Sequence, residues 1–218
     1  MKTNSITGGS EYQQMVEFAK ILQSDCSRYL NDSDALERGW LFRMMIPIKD
    51  VTKEVLVNTQ RKPRDTPPLV HKIINDYFFE TYGIPFRSSS VFCVNNPSYI
   101  TQDYPDSRGI ENSLHLIFPI GDYTSLVSKK YRDLTLILSR SYGKEMVEIS
   151  SCTSIDDVSE PTKNKILDFL NRGDYVLNDL FGNNVNEIML YCKSYYALDI
   201  SGKNYSKIRY LSEILSSK

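Results

Sequence analysis

Residues 187–191 read Glu-Ile-Met-Leu-Tyr, and residues 195–198 read Tyr-Tyr-Ala-Leu. Both runs are apolar, aromatic or branched, and shorter than an ordinary helix, so they predict strands. The first is a strand opened by a glutamate, and the second reads as its neighbour. Working outward, Tyr175-Val176-Leu177 is another apolar run, and Leu114 to Pro119 (LHLIFP) predicts a further strand. Residues 86–94, FRSSSVFCV, read as a strand entered from a polar turn. Leu36 to Phe42 reads as a buried strand interrupted by Arg38-Gly39, and 43–60 as a strand pair or loop.

Helical spacing marks the other segments. Met15, Phe18, Ala19, Leu22, Cys26 and Tyr29 recur at steps of three and four, which predicts a helix over 11–30 with Ser10 as its cap. Val70, Ile73, Ile74, Tyr77 and Phe78 predict a second helix over 69–82, stopped by Gly83. Pro97 can open a short helix through Tyr104. Residues 131–138 suit a strand or a short helix, and the Ser- and Asp-rich stretch 140–160 reads as a loop or insertion. Residues 162–171 predict a helix, and the segment from Asn204 a short terminal one. The prolines of 61–68 exclude a helix interior there. The expected architecture is α+β, with residues 1–10 a flexible tail and 11–218 a single domain.

Composition narrows the chemistry. The chain has 218 residues, 41 % hydrophobic, with 15 Tyr and 9 Phe, enough for an aromatic core. Its net charge of -1 gives no general polyanion-binding footprint. Nucleic acid, reached through local basic groups and stacking tyrosines, is therefore a less favoured partner. The charge is uneven: residues 38–87 hold 9 Lys/Arg and 5 Asp/Glu, and the segments on either side are acidic. Arginines converging from that stretch would suit a diphosphate or carboxylate, because the guanidinium fork matches such oxygens. The bland reading is a solvated basic loop.

With two histidines, His71 and His115, a His-rich metal site is excluded, and both read as packed structural residues. The four cysteines have no CxxC spacing and read as free thiols in a reducing compartment. No P-loop, GxGxxG or GxSxG motif occurs. No apolar run approaches a membrane span, and the N-terminus lacks a signal-peptide core, so a cytoplasmic location and no membrane partner are expected.

What remains is an ordered set: Arg38-Gly39 early, Ser88-Ser89-Ser90 in the middle, and Glu187 before Ile-Met-Leu late. That order resembles the Arg…Ser…Glu arrangement of the ADP-ribosyltransferase superfamily. The run CS.YL, RG, R.PRDTP, RS.SVF and FP.GDY over about residues 20–200 also resembles small phage-encoded proteins of that superfamily. The resemblance implies a split β-sheet core with flanking helices and NAD as a substrate. It implies catalytic roles for Glu187, Arg38 and Ser90. It implies cofactor contacts from Arg38, Arg64, Arg87, Ser88, Ser90 and Tyr104, and no metal.

The acceptor would be an unidentified macromolecule, in the host cytoplasm if the protein is phage-encoded. The position two before Glu187 is Val185, where arginine-modifying members carry Glu or Gln. The middle motif is also displaced from the following helix, and Val94-Asn95-Asn96 is a second candidate for its place. The alternative is therefore an inactive relative that binds and neutralises a host defence factor or toxin.

Overall fold

The computed structural model describes residues 10–32, 40–48, 53–62, 66–97, 113–180, 186–201 and 206–217. The fold is α+β, with helices packed on two antiparallel sheets. It opens with α1 (Glu11–Asp25) and α2 (Ser27–Asp32). Ser10 and Gln13 form a reciprocal capping box at the start of α1, which satisfies two of the amide donors that a helix start leaves over. The predicted 11–30 helix is thus two helices in tandem, broken at Cys26.

Strand β1 (Phe42–Met45) and the two-residue β2 (Val55–Leu56) follow. Next come α3 (Pro68–Tyr82), the single turn α4 (Phe86–Ser89) and β3 (Val91–Cys93). Gly83 closes α3 with φ +74°, a left-handed conformation that glycine adopts without strain. The expected strand over 86–94 is shorter than its apolar pattern. Its first four residues coil back as α4, where the Ser88 and Ser89 hydroxyls both donate to the Pro85 carbonyl.

Strands β4 (Ser113–Pro119) and β5 (Tyr123–Ser128) precede α5 (Leu134–Ser141) and α6 (Gly143–Ser151). Helix α6 corrects the loop expected over 140–160. Its apolar stripe is narrow, carried by Met146 and Ile149. The chain ends with α7 (Glu160–Asn171), β6 (Tyr175–Leu177), β7 (Ile188–Cys192), β8 (Ser194–Asp199) and α8 (Ser206–Ser216).

One sheet has the order β1-β4-β8-β2 and the other β3-β7-β5-β6. Strands β7 and β8 are consecutive but belong to different sheets, so they are not the paired neighbours expected from their spacing. The chain changes sheets at Lys193. The two sheets meet where Phe42 of β1 bridges Val94 just past β3, through reciprocal backbone hydrogen bonds of 2.7 and 2.9 Å.

Two apolar clusters hold these layers. The first joins α1, α2 and α8 to the β1-containing sheet and to the face of β7 that carries Ile188, Leu190 and Cys192. The second packs α3 to α7 on the opposite face, against Leu126 and Met189. Strand β7 is thus buried on both faces, as its continuous apolar run requires. Among the described residues, no helix is long and apolar enough to cross a membrane. Cys26, Cys93 and Cys192 are free and buried, and Cys152 is free and partly exposed.

Candidate active site

Glu187 stands one residue before β7, on the side of the sheet that faces the second cluster. Its backbone N–H donates to the Arg132 carbonyl at 2.8 Å. The preceding Asn186, itself buried, donates through Nδ2 to the Ser128 carbonyl. These bonds fix where the glutamate enters the sheet. They also leave its carboxylate at the rim, with 22 % of the side chain exposed.

Arg87 reaches it from α4. Nη1 lies 3.5 Å from Glu187 Oε2, and Nη2 donates to the Thr135 hydroxyl at 2.9 Å. The Arg87 guanidinium lies over the Phe92 ring, 4.7 Å from its centroid, and that of Arg61 lies 4.3 Å from the same centroid. Arg61 is held against α4 by its backbone N–H, which donates to the Ser88 carbonyl. Arg43, from β1, donates through Nη1 to the Phe92 carbonyl at 3.3 Å. Three arginines from β1, the 61 segment and α4 therefore gather around Phe92.

The electrostatics follow from partial burial. Desolvation pushes the Glu187 carboxyl up to about 7. Arg87 opposes this, Asp133 adds to it, and Arg61 and Arg43 oppose it more weakly. His71, in the first turns of α3, is pulled down to about 4 by burial first and by Arg87 and Arg61 second. It is a neutral imidazole at neutral pH.

The structure brings Arg87 and Glu187 into contact and adds Arg61, His71, Arg43 and Phe92 to them. Ser90 is placed differently. In the β3–β7 register Val91 faces Leu190 and Cys93 faces Ile188. Ser90 and Glu187 therefore flank opposite ends of the paired stretch. Ser90 is buried, and its hydroxyl has no hydrogen-bond partner among the described residues. The Ser88 hydroxyl contacts Asn75 Oδ1 at 3.1 Å and the Pro85 carbonyl at 3.2 Å. The end of β3 beside Glu187 runs into Val94-Asn95-Asn96. Arg38, Arg64 and Tyr104, and the helix expected through Tyr104, lie outside the described residues.

His71 and Arg61 were legible as basic residues but not as partners. Arg43 sat in a segment with no motif. The signal that could have joined them is the cationic excess over 38–87. Among the described residues, no group of three or more His, Cys, Asp or Glu could hold a metal ion. Comparison with known protein families, curated proteins and solved structures finds no match.

Proposed function

We propose that this protein is an ADP-ribosyltransferase-like enzyme that uses NAD as donor and a macromolecule as acceptor. The observation that carries the reading is the adjacency of three strands. Strand β1, which follows Arg38-Gly39, bridges the end of β3, and β3 pairs with β7, which Glu187 opens. The Ser88–Ser90 run, which leads into β3, and Glu187, which opens β7, thus adjoin paired strands although they lie about 100 residues apart in sequence, which supports the reading. The division into two sheets that meet at β1 and β3 also agrees with a split-sheet core.

The chemistry suits that assignment. Breaking the nicotinamide–ribose bond sends its electron pair to nicotinamide and leaves a cation-like ribose. A carboxylate at Glu187 would accept a ribose hydroxyl proton in a hydrogen bond and stabilise that charge. The acceptor nucleophile then bonds the ribose carbon and loses its proton. Arg87, with Arg38 and Arg64 as further candidates, would hold the diphosphate. Because the carboxylate form is needed, transfer should rise with pH through about 7, where Glu187 ionises.

The test is labelled NAD with a broad acceptor panel, comparing wild type with Glu187→Gln. Release of nicotinamide or labelling of a macromolecule by wild type alone supports the reading. Equal, background-level signal from both removes it.

A second reading is favoured by the serines. The Ser88 and Ser89 hydroxyls are taken up by Asn75 and Pro85, and Ser90 is at the far end of β3 from Glu187. An inactive relative that binds a host defence factor needs none of them. It predicts a stable stoichiometric partner in host cells and no NAD cleavage.

A further inference from the structure

We propose that Tyr175 is a positioning residue for Glu187, its hydroxyl and Nε of Arg87 holding a water against the Glu187 carboxylate. This role rests on the reading of Glu187 as the transferase carboxylate, but it is measurable on Glu187 without NAD.

The first support is where the sheet puts the two residues. Tyr175 of β6 pairs with Ser128 of β5. Val127 pairs with Ile188, so Ser128 lies level with Glu187 at the entry to β7. Tyr175, Ser128 and Glu187 therefore share one rung, and residues of one rung point to the same face. That face carries the second cluster, to which Leu126 and Met189, each two residues along, belong. In keeping with this, Glu187 is the first of the charged groups that act on the Tyr175 phenol.

The second support is the construction around Tyr175. Two non-glycine residues in left-handed conformations bracket β6: Asp174 with φ +49° and Asn178 with φ +58°. Such strain persists only where surrounding contacts hold it. Here the Lys129 N–H donates to the Asp174 carbonyl at 3.0 Å, and the Asn178 N–H to the Ser125 carbonyl at 2.9 Å. The ring is seated as closely. It meets Phe78 edge-on, with centroids 5.0 Å apart. A Cβ at Gly173 would collide with its Cε2 and lie 2.8 Å from its Cζ, so residue 173 leaves the ring room only as glycine.

The third support is unmet hydrogen bonding. The Tyr175 hydroxyl is buried and has no hydrogen-bond partner among the described residues. The same holds for Nε of Arg87, a residue 8 % exposed. Burial first and Glu187 second push the phenol above its ordinary range, so it stays a donor. Two donors thus lack an acceptor beside a carboxylate, which only accepts. One water satisfies all three groups, accepting from Tyr175 and Arg87 and donating to Glu187. The arrangement favours the ionised carboxyl and fixes where it stands.

The charged groups that act on Glu187 are Arg87 from α4, Asp133 from the cap of α5, Arg61, and Arg43 from β1. Removing the Tyr175 hydroxyl leaves all four in place.

The experiment is an NMR pH titration of the full chain with isotope-labelled glutamate carboxyls, Glu187 being assigned by loss of its signal in Glu187→Gln. Wild type should titrate at about 7. Tyr175→Phe keeps the ring and should raise the midpoint by about 0.5, a roughly threefold change in the ionisation constant. Tyr77→Phe and Tyr131→Phe should leave it unchanged, because those hydroxyls donate to Asn171 Oδ1 and to the Phe169 carbonyl. In NAD cleavage, Tyr175→Phe should lower kcat severalfold with KM little changed, and the rising limb of the pH profile should follow the new midpoint.

A midpoint raised in Tyr175→Phe alone, with no NAD cleavage by wild type, supports the Tyr175–Glu187 link and removes the transferase reading. NAD cleavage by wild type with an unmoved midpoint in Tyr175→Phe does the reverse. Circular dichroism checks that each variant is folded. A midpoint that stays or falls in folded Tyr175→Phe, or that Tyr77→Phe raises equally, overturns the proposal.

Discussion

The two histidines occupy opposite kinds of interior. His115 lies in β4 and is fully buried, and its Nδ1 is 2.9 Å from the Ser113 carbonyl of its own strand. Burial lowers its pKa, and the Ser113 carbonyl and Asp199 partly restore it. Its side of the molecule is aromatic and internally satisfied: Phe118 meets Phe18, Tyr29 and Trp40 edge-on, and Tyr196 donates to Asp25 at 2.8 Å. His71 lies beside two arginines, with its Nδ1 unmatched among the described residues. The first region uses its polar groups to complete a core. The second leaves Nδ1 of His71 and Nε of Arg87 without a hydrogen-bond partner among the described residues.

The largest effect should come from opening the first region. Phe118→Ala removes a ring shared by three aromatic neighbours and should cost about 3–5 kcal/mol in urea unfolding. A cost below 1 kcal/mol would mean that the aromatic cluster is not the stabilising centre.

Next, Glu187→Gln should change the pH dependence of stability. The folded carboxyl titrates at about 7, above its ordinary value of 4.5. The native state therefore holds a proton that the unfolded chain gives up. This contribution is complete below about 4.5 and is lost as pH rises through about 7. At pH 8 the Gln variant should be the more stable by on the order of 2 kcal/mol. A wild-type profile that stays flat from pH 5 to 8 would contradict the burial of this group.

A smaller shift tests the coupling around His71. Burial holds the imidazole near 4 with smaller help from Arg87 and then Arg61, so Arg61→Gln should move its NMR titration slightly upward. His115 should not move. Equal movement of both would erase the contrast between them.

The smallest effects are at helix ends. Ser10→Ala in the first region should cost about 1 kcal/mol by loss of the capping box. Gly83→Ala in the second should cost about the same, because φ +74° strains any side chain. Thermal denaturation would show both.

The helices around these sites were legible wherever one face is broadly apolar, as in α1 and α3. Helix α6 was hidden because only Met146 and Ile149 of GKEMVEISS are buried. Strand β5 was hidden for the opposite reason. It buries Ser125 and Ser128, and Ser128 donates to the Gly173 carbonyl at 2.5 Å. Partners that far along the chain make a polar residue suitable for the interior, and local pattern does not display them. The same limit explains the site. Glu187 and Arg87 were individually visible, but they are 100 residues apart and meet only through pairing of β3 with β7. Ser90 was read as the Ser element of the resemblance, and antiparallel register places it at the end of the paired stretch opposite Glu187.

The single residue Lys193 between β7 and β8 has a kinetic meaning. A one-residue link keeps the end of β7 within about 7 Å of the start of β8. The two sheets are mechanically yoked, so their loss should be one event. Trp40 fluorescence, which reports the first cluster, and far-ultraviolet circular dichroism, which reports both, should then trace one coincident transition.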